Sequence, residues 1–297
     1  MDAFTRIAEM FRKTLTIISP VLNTKVTYRF KFHKRLKLDN PETLNEKIQW
    51  LKFNTYYNNP LVKQCADKYA VREYVEKCGL SNLLNELIYV YSSPEEIKWD
   101  QLPNDFALKL NVGCGFNHIV SNYEKENCCD LQQEIKKWIR ASKTQWQSYS
   151  ELQYKDVHPY ILIEKYLGNP EESSIPEDYK VYCFNGVPQY IMVCLNRDTP
   201  ENTKYLFFDK EWKLARINKD SINAPSDFTI KKPLCFDELI ESSKILSDPF
   251  PFVRVDYYIL NNQLIFGELT FTPSGGMDTD RLPETDRLMG SLLKLPK

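Results

Sequence analysis

The stretch VRVDYYILNNQLIFGELTF, residues 253–271, decides how the chain is read. Aliphatic and aromatic residues flank an Asn-Asn pair, a pattern that predicts two antiparallel strands joined by a tight turn. Asp256 and Glu268 interrupt those strands, although an unpaired buried carboxylate costs several kcal/mol. Side chains alternate faces along a strand, so Arg254, Asp256, Tyr258 and Leu260 share one side of the first strand. Leu264, Phe266, Glu268 and Thr270 share one side of the second. A three-residue loop, Asn261-Asn262-Gln263 with Asn262 left-handed, sets Leu260 against Leu264 and Asp256 against Glu268. A two-residue loop would put the acids on opposite faces. Unless one acid reaches solvent at a strand end, the two repel across the sheet and need a cation between them. Hard oxygen ligands suit magnesium, with phosphate oxygens completing the shell. The hairpin therefore predicts part of a nucleotide site, whose other parts must lie elsewhere.

The rest of the chain narrows the function classes. A length of 297 residues allows one large domain or two smaller ones. A net charge of -1 carries no global signature of nucleic-acid or membrane binding. The first forty residues differ, with nine Lys/Arg against three Asp/Glu. Three readings fit that basic and apolar segment: a solvated helix and arm, a membrane-surface or partner contact, and a site for an acidic polymer. No run approaches the ~20 apolar residues of a membrane span, and no signal peptide is evident. The eight cysteines show no CxxC pairing and read as reduced cytosolic thiols. His33, His118 and His158 lack metal-ligand spacing, which argues against a zinc site or a Ser-His-Asp hydrolase.

No repeat or low-complexity segment is found. NPETLNEKIQWLKFN carries a helix-start signal, Thr43 three residues before Glu46. A second helix is predicted over NPLVKQCADKYAVREYVEKCG, ended by Gly79. Strands follow in LIYVY and FALKLN, then a polar helix over 131–148 and the strand YILIEKYL. The acidic segment GNPEESSIPED precedes strands YKVYCFN, GVPQYIMVCLN and KYLFFD, the helix FDELIESSKILS, and the opening hairpin. Strand-rich halves with interspersed helices predict α+β layers, with a break near residue 160.

Phosphate chemistry has several candidate positions. Lys109 lies within FALKLN, four residues before Gly113-Cys114-Gly115. Glycines let backbone N–H groups approach phosphate oxygens, and the lysine supplies a point charge. The chain has only nine glycines, yet Gly113, Gly115, Gly275 and Gly276 fall in two short loops, the second soon after Glu268. Lys68 and Arg72 are four apart, on one face of the predicted second helix. Lys180 stands in an aromatic strand beside Asp178. Glu164-Lys165 ends an apolar strand that can present backbone groups to an adenine edge, with acids beyond it for ribose hydroxyls.

Taken in order, these pieces resemble an ATP-grasp ligase, and NEKIQWLK, ADKYAVREYV, LPNDFALKLN, DYKVYCFNG, FVRVDYY and FGELTFTPSGG resemble blocks of the TupA-like (teichuronopeptide biosynthesis) ATP-grasp family. The similarity runs from about Leu36 to the C-terminus. The chain departs from the family pattern at Val112, Cys114 and Thr270. The resemblance implies an ATP-grasp α+β fold: a helical N-terminal region over 1–85, one lobe over 86–160, and a second over 161–297 carrying the metal hairpin. It implies ATP and magnesium as cofactors. Lys68, Lys109, Lys180, Gly113 and Gly115 would meet phosphates, and Glu164, Lys165, Tyr166 and Leu167 would form the adenine hinge. Asp256, Glu268 and Thr270 would hold the metal. Arg254 and Lys180 would be catalytic, and Arg72, Thr270, Thr272, Ser274 and Gly275 would line the substrate end.

The implied reaction has two steps. A carboxylate oxygen attacks the γ-phosphorus and ADP leaves; an amine then displaces phosphate from the acyl phosphate to form an amide. The family context points to cell-surface (capsular) polysaccharide biosynthesis, joining an amino acid to a uronic acid carboxyl on a sugar or polysaccharide. The expected setting is cytoplasmic, with peripheral association at the inner face of the membrane with membrane-bound assembly, and without nucleic acid. Two other classes fit the same residues: an ATP-dependent glycan kinase, and a non-catalytic glycan-binding partner of a glycosyltransferase.

Overall fold

The computed structural model describes residues 3–168, 176–197, 199 and 202–296. Two helices, α1 (Ala3–Ile18) and α2 (Pro20–Phe32), open the chain, and the Ser19 hydroxyl caps the second by accepting the Leu22 N–H. Helix α3 (Leu44–Leu51) begins at the predicted capping box: Thr43 Oγ1 accepts from the Glu46 N–H, and Glu46 Oε2 accepts from the Thr43 N–H, each at 3.2 Å. It runs on into a π-helical turn over Lys52–Tyr56.

The single helix predicted over 59–79 is two. Helix α4 (Pro60–Ala66) stops at Asp67, whose Oδ1 accepts the Tyr69 and Ala70 N–H groups, and α5 (Val71–Lys77) follows. A short acidic side chain satisfying free amides is a helix-start device that overrides continuous apolar periodicity. Lys68 consequently sits in the turn between the helices rather than on one helical face with Arg72.

Strands β1 (Leu87–Tyr91), β2 (Phe106–Leu110), β3 (Asn117–Val120) and, after helix α6 (Cys128–Gln145), β4 (Ile161–Lys165) make one sheet in the order β1-β4-β2-β3. Its neighbours are all antiparallel. Leu131, Ile135 and Trp138 of α6 cover one face. Because β4 completes this sheet, the change of sheet falls after Lys165, not at residue 160.

The second sheet runs β10-β9-β5-β6-β7-β8, from β5 (Glu177–Phe184), β6 (Val187–Leu195), β7 (Lys204–Phe208), β8 (Leu214–Ala215), β9 (Phe252–Leu260) and β10 (Gln263–Thr270). Helix α7 (Lys219–Asn223) and helix α8 (Phe236–Ser247) precede β9, and α9 (Pro283–Leu292) closes the chain. Alternation along β9 sends Val253, Val255 and Tyr257 into a core shared with α8 and with α3, α4 and α5. The helices of 44–77 are thus part of the second sheet's core and not a separate N-terminal unit.

The turn of the hairpin is shorter than expected. It is the two residues Asn261 and Asn262, both at positive φ (52° and 62°), so Leu260 pairs with Gln263 and Tyr257 with Phe266. Continued unchanged, that register would separate the acids. A β-bulge at Gly267 inserts one residue, and Glu268 pairs with Asp256, Leu269 with Val255 and Thr270 with Arg254. Glycine suits this position, because a Cβ at 267 would lie 3.0 Å from the Asp256 carbonyl oxygen, tighter than side chains ordinarily pack. The acids do share one face, through a bulge rather than an odd-length loop.

Candidate active site

The face of the second sheet opposite its core carries the charges. Lys180 on β5 is the direct neighbour of Asp256 on β9, which is the direct neighbour of Glu268 on β10. Arg254 Nε donates to Asp256 Oδ1 at 2.7 Å and Arg254 Nη2 to Oδ2 at 2.6 Å; Lys180 Nζ donates to Oδ2 at 2.9 Å and to Asp178 Oδ1 at 2.8 Å. The cation expected between the acids is therefore built into the chain on the Asp256 side. Burial pushes the Asp256 carboxyl upward while Arg254 and Lys180 pull against it, and Asp256 in turn keeps both bases protonated.

Glu268 is placed differently. Its side chain is about a third exposed; Oε2 lies 3.3 Å from Lys68 Nζ, and Oε1 accepts from the Thr270 hydroxyl at 3.1 Å. Burial alone would raise its pKa, but Lys68, Lys180 and Arg254 overcome that and hold it at about 2. Glu268 is thus an ionised carboxylate facing open space, whereas Asp256 is a buried one already paired.

Two cavities meet at Glu268. One, about 250 Å³, is lined by Lys68, Lys109, Lys180, Gly115, Asp256 and Tyr258. The other, about 900 Å³, holds Arg254, Thr270, Thr272, Ser274, Gly275 and the side chains of Glu9 and Arg12 from α1. Gly113, Cys114 and Glu268 line both. Lysines thus crowd the smaller cavity, and hydroxyls with a strained glycine loop mark the larger. Ser274 and Gly275 both have positive φ, 53° and 66°.

The remaining predicted residues fall around this junction. Lys68 Nζ also donates to the Gly113 carbonyl at 2.8 Å. Gly113 is at φ 75°, which favours glycine, and a Cβ there would meet Gln145 Oε1 at 2.1 Å and displace that side chain. Gln145 accepts the Cys114 N–H at 3.2 Å and donates to its carbonyl at 2.9 Å, which fixes the loop. Lys109 pairs with Glu164 at 2.7 Å. Lys165 differs from a free hinge: its N–H donates to the Glu86 carbonyl and its carbonyl accepts from Asn85, each at 2.9 Å. Tyr166 follows β4 in a loop, and Leu167 lines a small cleft with Arg72 and Lys109. Arg72 therefore does not line the larger cavity, where substrate was expected; it donates to the Asn85 carbonyl at 2.8 Å. The acids at 171 and 172, expected beyond the hinge, lie outside the described residues.

Several participants were missed. Glu151 lines the larger cavity and accepts from the Thr272 hydroxyl at 2.6 Å, with burial raising its pKa. Behind it Lys52 is fully buried, donating to the Tyr149 carbonyl at 2.7 Å, and burial drives its pKa down to about 7. Lys52 falls in a helical run and Glu151 in a loop, so neither carries a local signal.

Magnesium, implied by the resemblance, fits this donor set on chemistry. Glu268 is ionised and reachable, Thr270 is bonded to it, and Asp256 is its register partner. Both Asp256 oxygens already accept from cations, so its service as a ligand requires Arg254 or Lys180 to yield. Among the described residues no group of three or more His, Cys, Asp or Glu is gathered that could hold a metal ion.

Comparison with solved structures gives weak likenesses. The D-alanine–D-alanine ligase of Helicobacter pylori is 15% identical with a TM-score of 0.49, covering 84% of this chain and 69% of that one. The D-alanine–D-alanine ligase of Bacillus anthracis, solved with ATP, is 15% identical with a TM-score of 0.44, over 77% of this chain and 61% of that one. The L-amino acid ligase of Bacillus licheniformis is 10% identical with a TM-score of 0.45, over 81% of this chain and 49% of that one. The chain thus spans less than two thirds of the length of two of these three. Comparison with curated proteins gives no match. The model described as TupA-like ATPgrasp matches residues 46–294, through both sheets and the charged hairpin, and the chain belongs to that TupA-like ATP-grasp family.

Proposed function

We propose that the protein is an ATP-dependent carboxylate–amine ligase that forms an amide through an acyl phosphate. The observation carrying this reading is the junction at Glu268, where a lysine-lined cavity meets a larger one lined by hydroxyls. ATP phosphates suit the first, against Lys68, Lys109 and Lys180; the reacting carboxylate and amine suit the second. Magnesium bound by Glu268, Thr270 and Asp256 would neutralise phosphate charge. Arg254 reaches both Asp256 and Thr270 and lines the larger cavity, so it can stabilise the transferred phosphoryl group or the tetrahedral intermediate. Tying Cys114 to Gln145 holds the loop shared by both cavities, which favours positioning over flexibility.

For substrates we propose a uronic acid carboxyl, on a sugar or cell-surface polysaccharide, and an amino acid amine. A third cavity, about 1070 Å³, is lined by Lys31, Lys34, Arg35, Lys37 and Arg287 among others, and Lys31 also lines the larger active-site cavity. Glu42, Glu46, Glu284 and Asp286 line this trough too, but bases outnumber them, which favours an anionic polymer over a small acid. We place the reaction in the cytoplasm, where ATP is supplied.

An ADP-release screen of uronic acids against the twenty amino acids, with mass analysis of products, tests the proposal. Amine-dependent ADP release with an amide product is expected. A phosphorylated sugar instead would make the protein a glycan kinase. A non-catalytic glycan-binding role would follow if magnesium-ATP left thermal stability unchanged and Glu268→Gln left function intact.

A further inference from the structure

Helix α1 is amphipathic, but it is mounted with its polar side inward. Thr16, 3% exposed, bonds the Gln147 carbonyl at 2.6 Å and the Ser150 hydroxyl at 2.8 Å. Asn23 of α2, fully buried, donates to Thr16 Oγ1 at 2.7 Å and to Ser150 Oγ at 3.0 Å. Lys13 donates to Thr144 Oγ1 at 3.2 Å, Arg12 lies over the Tyr149 ring, and Glu9 and Arg12 line the active-site cavity. The opposite side shows Ile7 (63% exposed), Met10 (67%), Phe11 (54%), Ile17 (73%) and Ile18 (69%). At 100° per residue these five lie within an arc of about 120° roughly opposite Thr16, with only the exposed Thr14 among them, so they form a predominantly apolar stripe. Contiguous exposed apolar surface on this scale marks a contact that the isolated chain does not make.

Charge and composition say what covers the stripe. Residues 3–32 hold six Lys/Arg and one acid, Glu9, and that acid is paired with Lys13 at 2.8 Å. Arg6, Lys25 and Arg29 are exposed. A stripe of aliphatic, Met and Phe side chains on a helical pair whose exposed charges, Arg6, Lys25 and Arg29 among them, are all basic suits the interfacial zone of an anionic bilayer better than a socket on another protein. No helix among the described residues is long and apolar enough to cross a membrane, so α1 would lie on the surface. Both helices also lie before residue 46, where the family match begins. We propose that α1 docks the enzyme on an anionic lipid surface, lipids covering Ile7, Met10, Phe11, Ile17 and Ile18. Since the polar side of α1 walls the active-site cavity, docking sets that cavity about one helix diameter, ~10–12 Å, from the headgroups. A membrane-tethered acceptor would then reach the site from the lipid side.

Sedimentation of the full chain with vesicles tests this without any assay of the reaction, so its outcome is separate from that of the proposed function. At 50 mM salt the chain should sediment with vesicles of equal phosphatidylglycerol and phosphatidylcholine at least ten-fold more than with phosphatidylcholine alone. Phe11→Ser with Ile17→Ser should abolish that binding, while Lys25→Glu with Arg29→Glu should weaken it several-fold. Unchanged thermal melting would show that the variants are folded. Failure of the wild-type chain to bind anionic vesicles would overturn the proposal. So would a wild-type dimer that Phe11→Ser with Ile17→Ser converts to monomer, because a second copy would then be the occupant.

Discussion

Replacing Asp256 by Asn separates the structural acid from the reachable one. The Asp256, Arg254 and Lys180 side chains are only 5%, 12% and 16% exposed, and three charge-assisted bonds of 2.6–2.9 Å join them. The neutral amide would leave the Arg254 guanidinium without its bidentate countercharge and Lys180 with Asp178 alone. Breaking a buried pair in this way costs about 3–5 kcal/mol. Unfolding entropy scaled to 297 residues converts that to a loss of roughly 5–8 °C in Tm. Glu268→Gln touches a partly exposed, screened pair with Lys68 and should cost under ~1 kcal/mol, while abolishing magnesium-ATP stabilisation of the fold. Calorimetry of Asp256→Asn, Arg254→Met and the double variant supplies the decisive cycle. Removing the cation along with the acid should recover about 1–3 kcal/mol relative to additive effects. A double variant that is strictly additive, or an Asp256→Asn variant melting within ~2 °C of wild type, would refute the account of a pre-paired acid.

Three further outcomes are expected. Gly267→Ala pushes a Cβ onto the Asp256 carbonyl and should lose about 1–3 kcal/mol in urea melts; deleting Gly267 should do less harm, because the two-residue turn alone then pairs Asp256 with Glu268. Lys52→Met removes a fully buried amine whose pKa is depressed to about 7, below its unfolded value near 10.5. Wild-type stability from this group is present above pH ~10.5 and lost as pH falls through 7; the variant also loses the cation beside Glu151 and the donor to the Tyr149 carbonyl, so its stability relative to wild type should be lowest at pH ~10.5 and rise as pH falls to ~7, as urea midpoints would show. Neutralising Arg29, Lys31, Lys34 and Arg35 together should raise KM for a uronic polymer several-fold without changing that for ATP; three of the four line the basic trough, and unchanged kinetics would remove the trough from the acceptor path.

What the sequence determined by itself is local. Alternation along residues 253–260 and 263–270 put Asp256 and Glu268 in strands, the Thr43–Glu46 spacing started α3, and the ordered blocks from 46 onward carried the family. The two acids were legible as one site because buried charge is costly wherever it occurs. The turn length was not, since Gly267 reads the same whether it packs in a regular strand or forms a bulge; only the approach of the Asp256 carbonyl across the sheet favours it. Nor could the sequence tell which acid is the more exposed. Lys180 is 76 residues from Asp256, and Lys68 is 200 from Glu268, so which cation claims which carboxylate depends on strand order and on the turn at Asp67. The direction of α1 was decided at the same level: the sequence showed a mixed basic and apolar segment, and Thr16 and Asn23 bonding the 147–150 turn, with Lys13 on Thr144, turn its apolar residues outward.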